Sequence, residues 1–85
     1  MTTETTGRTA EQEQRIAQAK ARLKAAQLRV LACSQDQLAA GYARQGTHPI
    51  YAGQEMVCAG KADQASSFAD RTRAQADLIE AEAGL

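Results

Sequence analysis

Cys33, Cys58 and His48 are the residues of this 85-residue chain best suited to chemistry. Two thiols can form a disulfide, a thiol beside an imidazole can act as a nucleophile, and all three side chains bind zinc. Their spacing supports none of the catalytic or metal uses. The chain has no CxxC and no HxxxH, and structural zinc sites usually close with four ligands. A Cys and a His without an orienting group are a weak signal for a nucleophile. The sequence has no strand pattern, so no Gly-rich loop follows a strand to cradle phosphate. The expectation is therefore no catalytic residue, no metal, no cofactor and no enzyme activity. Cys33 and Cys58 lie thirteen and twelve residues from Gly46, so a turn there could bring them together. The alternative is a pair of small buried hydrophobes. His48, just before Pro49, reads as a turn residue or helix cap.

The other chemistry on offer is contact with anions. "KARLKAAQLR" carries Lys20, Arg22, Lys24 and Arg29. On a helix Lys20 and Lys24 share one face while Arg22 and Arg29 share another, and no aromatic residue is interleaved to stack on bases. The formal net charge is zero, which argues against general binding to nucleic acid or to an anionic membrane. The charge is nonetheless divided. Residues 1–45 hold seven Lys/Arg against four Asp/Glu, and residues 46–85 hold three against six. Two antiparallel helices of opposite charge would attract each other; alternatively, the basic first half offers a face to an acidic partner.

The elements that position these residues are helical. Residues 1–8 are polar and Thr-rich and read as a disordered tail. Thr9 followed by Gln12 fits a capping box, and no Gly or Pro interrupts the chain from Ala10 to about Ala40. Gly41 and Gly46 are stop signals, which place a turn at about 41–48. A second helix starts at Pro49 or after Gly53 and runs to about Ala83, with Gly84 as a natural terminator. Gly53 and Gly60, seven residues apart, could mark a face of close backbone approach. A short separate helix near 49–58, giving three helices, is a further alternative.

The second helix has a regular seam filled almost entirely with small residues: Cys58, Ala62, Ala65, Ala69, Thr72, Ala76, Ile79 and Ala83, spaced 4-3-4-3-4-3-4. On the first helix the matching line is Ile16, Ala19, Leu23, Ala26, Val30, Cys33, Gln37 and Ala40. Facing large positions with small ones allows two registers. One sets Val30 by Cys58 and Leu23 by Ala65; the other sets Val30 by Ala65 and Leu23 by Thr72. The expected fold is an all-α antiparallel helical hairpin with an Ala-rich, coiled-coil-like seam.

Such a seam leaves Leu28, Leu31, Leu38 and Tyr42 of the first helix, and Phe68 and Leu78 of the second, without a neighbour. A chain this small with few large apolar residues gains most by burying them through association. These six are the candidate protein-binding residues, covered either by a second copy in a homodimer or by another protein. The expected function is that of a small non-enzymatic adaptor, chaperone-like subunit or inhibitor. The alternative is a nucleic-acid accessory protein using Lys20, Arg22, Lys24 and Arg29. No apolar leader or bilayer-length stretch is present, and the two cysteines suit a reducing compartment, so the expected location is the cytoplasm. The Ala-, Arg- and Gln-rich composition suits a GC-rich bacterial or phage source.

Overall fold

The computed structural model describes residues 9–85; the expected N-terminal tail, 1–8, lies outside them. Two long helices pack against each other, α1 (Ala10–Gln45) and α2 (Glu55–Glu82), joined through a 3-10 turn at Pro49–Tyr51. No strand occurs among the described residues. The molecule is an all-α antiparallel hairpin, with no third helical layer.

Local chemistry sets the ends of each helix. The Thr9 hydroxyl accepts the Gln12 amide at 3.2 Å, and the Gln12 side chain accepts the Thr9 amide at 2.9 Å, a reciprocal capping box. Arg15 adds an ion pair to Glu11 one turn earlier, at 3.0 Å. At the other end α1 continues through Gly41 and stops at Gln45, where the Gly46 amide donates to the Tyr42 carbonyl. Gly41 is thus an interior helix residue and not a stop. Surrounding helix formers outweigh its cost of about 1 kcal/mol. His48 caps the 3-10 turn, its Nδ1 accepting the Ile50 amide at 3.2 Å, and Pro49 fills the first turn position. Gly53 then takes φ +90°, a conformation that favours glycine. Its amide donates to both carboxylate oxygens of Glu55, which opens α2.

The α2 seam is as expected: Cys58, Ala65, Ala69, Thr72 and Ala76 are buried, and Ala62, Ile79 and Ala83 are half-buried. The buried Thr72 hydroxyl donates to the Phe68 carbonyl at 2.8 Å, so no polar group is stranded on this line. The α1 seam differs. Leu23 and Val30 are 61% and 67% exposed and Cys33 is exposed. The line that meets α2 lies two residues further along: Gln18, Ala21, Ala25, Leu28, Ala32, Gln35, Ala39 and Tyr42. A step of two residues turns a helix by about 200°, so the expected seam faces away from α2.

The register differs as well. A Cβ placed on Gly46 would sit 3.3 Å from the Cys58 Cβ, and the Gln18 amide donates to the Ala83 carbonyl at 3.1 Å. Setting Gly46 against Cys58 brings Tyr42 level with Ala62, Ala39 with Ala65, Gln35 with Ala69, Ala32 with Thr72, Leu28 with Ala76 and Ala25 with Ile79. Neither expected register occurs, because α1 runs on to Gln45 and the connection falls at 46–54, later in the chain than 41–48. Gly60 makes no close approach, since a Cβ there meets nothing within 4 Å.

Candidate functional site

The hairpin has two unlike flanks. On one, ion pairs tie the helices together. Arg29 Nη2 donates to Asp77 Oδ1 at 2.7 Å and to Glu80 Oε1 at 2.6 Å. Arg73 of α2 pairs with Asp36 of α1 and with Asp70 one turn back. The hydrogen bond from Arg29 holds the Glu80 carboxyl below the usual glutamate range. The same two carboxylates, Glu80 first and then Asp77, stabilise the charged guanidinium. Each pair is solvent-accessible and individually weak. Together they fix which side of α1 turns toward α2, in keeping with the opposite charge of the two halves of the sequence. Glu55 is also held below the usual range, by hydrogen bonds from its own amide and from that of Gly53.

The opposite flank is apolar. Leu31, Leu38 and Phe68 are 41%, 45% and 41% exposed. Leu38, Tyr42, Lys61 and Phe68 line an open groove of about 350 Å³ between the helices. The Lys61 ammonium lies 5.6 Å from the Tyr42 ring centroid, a cation–π contact at the groove end. Beyond this flank the outer face of α1 adds Leu23 and Val30.

The six expected interface residues are therefore divided. Leu31, Leu38 and Phe68 come together on the apolar flank. Leu28 and Tyr42 lie half-buried on the helix–helix seam, Tyr42 with one edge in the groove. Leu78 is 56% exposed further round α2. The four basic residues do not form one surface. Lys20 and Lys24 lie on the apolar side of α1, Arg22 and Arg29 on the other, and Arg29 is engaged by α2. Sequence reasoning missed Leu23 and Val30 as exposed residues because it placed them in the seam. It also missed Asp36, Arg73, Asp77 and Glu80 as partners; the opposed charge of the two helices was the available signal.

The thiols do not meet. Cys58 is buried against Gly46 near the turn, while Cys33 is exposed on the far side of α1. They are separated by about thirteen residues along the axis, about 20 Å at 1.5 Å per residue, far beyond disulfide reach. Among the described residues no three His, Cys, Asp or Glu side chains converge to hold a metal ion. No described helix is long and apolar enough to cross a membrane.

What the fold and flank define is a bare helical hairpin with one ion-paired side and one apolar side. No protein-family model, curated protein or solved structure matches the chain.

Proposed function

We propose that the protein is a small non-enzymatic binding protein, an adaptor, chaperone-like subunit or inhibitor, that acts in the cytoplasm through its apolar helical flank. One observation carries this reading. The flank that bears Arg29 and Arg73 is closed by charge pairs, whereas the opposite flank leaves Leu31, Leu38 and Phe68 in solvent. A helical surface of this kind is recognised through apolar anchors spaced along one face.

The test compares the wild type with Leu31→Asp, both immobilised and exposed to extract of the native host. Leu31 is partly exposed, so the variant should keep its helical circular dichroism and lose the captured protein. Retention in buffers of rising salt separates the two classes of partner. Apolar docking changes little, whereas nucleic-acid contact through Lys20, Arg22, Lys24 and Arg29 falls steeply. Binding that survives Leu31→Asp and collapses with salt would replace this proposal by the nucleic-acid one.

A further inference from the structure

The hairpin carries a second groove at its turn end, between the last turns of α1 and the 3-10 turn. Gly41, Arg44, Gln45, His48, Ile50 and Tyr51 line it. It shares no lining residue with the groove at Leu38 and Phe68. Its volume is about 490 Å³, within the ~300–1,000 Å³ usual for small-molecule sites. Gly41, Arg44 and Gln45 are spaced i, i+3 and i+4, so they share one face of α1. The 3-10 turn, with Pro49 at its start, supplies the other wall. A Cβ on Gly41 would meet nothing within 4 Å. Glycine inside a helix costs stability, and here its missing side chain leaves the groove open on the α1 side.

The polar groups left over in this groove are donors, because the acceptors around it are already used. The Arg44 carbonyl accepts the Thr47 amide at 3.1 Å and the Thr47 hydroxyl at 2.8 Å. The Gln45 carbonyl accepts the His48 amide, and the His48 carbonyl accepts the Tyr51 amide, each at 3.0 Å. His48 Nδ1 accepts the Ile50 amide. A neutral imidazole with an accepting Nδ1 carries its proton on Nε2, so the other edge of the ring is a donor. That ring is set edge-to-face against Tyr51, with centroids 6.4 Å apart. Arg44 takes part in none of the ion pairs found among the described residues. Among the same residues no carboxylate lines the groove. A guanidinium fork, an imidazole N–H, a phenol hydroxyl and the Gln45 amide thus border one volume whose walls carry no negative charge.

We propose that this groove binds a small phosphate monoester with an aromatic body, an aryl or nucleoside monophosphate. Arg44, His48 and the Tyr51 hydroxyl hold the phosphate, and the body lies against Ile50 and the Tyr51 ring. An arginine fork binds phosphate oxygens in pairs. A carboxylate has about four acceptor sites, fewer than this donor set can fill. A phosphate monoester brings more charge and three strongly accepting oxygens. Ile50, 78% exposed, gives the body an apolar surface to cover. The site stands apart from the protein-binding flank and does not depend on that reading.

The test titrates phenyl phosphate into the isotope-labelled full chain and follows the backbone amides by NMR. The shifts should be confined to residues 41–51. Arg44→Gln should raise the dissociation constant by about tenfold or more, the loss of a charge-assisted pair. Arg44→Lys keeps the charge without the fork and should fall between the two. Tyr51→Phe should cost about three- to tenfold. Gly41→Leu fills the groove from a position with open space and should abolish binding while the circular dichroism stays helical. Arg71→Gln, at an exposed arginine of α2 outside the groove, should change nothing. Adenosine monophosphate run beside phenyl phosphate distinguishes the two sources of the ligand, since the tighter binder names the body. No shift up to the solubility limit of either compound overturns the proposal. So do shifts that survive Arg44→Gln, or that gather around Arg22 and Arg29 instead of the turn. Inorganic phosphate binding as tightly as phenyl phosphate would mean an adventitious ion only, and benzoate binding as tightly would mean that the donors do not select phosphate. Either result overturns the proposal.

Discussion

Replacing Gly41 and Gly60 with alanine should stabilise the hairpin. Both lie inside long helices, where glycine is about 0.8–1.0 kcal/mol less favourable than alanine. The gain is realised only if the new methyl has room. A Cβ at either position meets nothing within 4 Å. The substitutions sit on different helices and share no neighbour, so their effects should add, to about 1.5–2 kcal/mol. At roughly 4–8 °C per kcal/mol for a domain of this size, the midpoint should rise by roughly 6–16 °C. Thermal and urea melts followed by circular dichroism at 222 nm would measure it. Gly53→Ala is the internal control, because its φ of +90° is unfavourable for alanine; it should cost about 1–2 kcal/mol. A fall in midpoint for Gly60→Ala would refute the reasoning, since it would mean that another backbone packs on that face of α2.

Three further outcomes are expected. Ala69→Leu enlarges a residue with no solvent exposure on the seam, and should cost about 1–3 kcal/mol in urea unfolding; an unchanged midpoint would mean that the helices separate freely. Thr9→Ala removes the cap of α1 and should cost about 1 kcal/mol, with loss of helix signal confined to the N-terminal turns by hydrogen exchange. The third concerns pH. Arg29 lowers the folded-state pKa of Glu80, so the stabilisation is present above the unfolded glutamate pKa of about 4.3 and is lost as pH falls through the lower folded value. Urea midpoints of the wild type and Arg29→Gln should differ at neutral pH and converge in acid; a constant gap would refute the link.

How legible the fold was differs between the helices. The α2 seam can be read from spacing and residue size, because only one line on that helix holds small residues at every position but one, Ile79. On α1 two lines have the same spacing, two residues apart and almost opposite in direction. Transfer free energy favours burying Ile16, Leu23 and Val30. The folded hairpin instead buries Ala25 and Ala32, and the cross-helix pairs of Arg29 and Asp36 hold α1 in that rotation. Those pairs join residues more than thirty positions apart, which periodicity within one helix cannot reveal. The register was hidden for a related reason. Gly41 looks like a stop when taken alone, yet sits inside a helix whose other residues carry it, and each residue added to α1 moves every pairing along α2. Leu31, Leu38 and Phe68 were legible as interface candidates because they lie off the α2-like seam under either rotation. Leu28 and Tyr42 were not, since turning α1 brought them onto it.

The two helices are unequal, 36 residues against 28. Gln18 reaches the carbonyl of Ala83 and lies against Gly84, so α1 from Ala10 to Ala17 projects past the end of α2. That projection is about two turns, or 12 Å, long, and all its residues except Ile16 are exposed. Its first turns are held by the Thr9–Gln12 box and the Glu11–Arg15 pair. Its amides should therefore exchange with solvent through local fraying, independently of how firmly the rest of the hairpin is held. Arg15 within it is the natural point of attack for a trypsin-like protease. Anything that docks on Ile16 would slow both processes, so this end of α1 is a built-in reporter of occupancy, readable without a label.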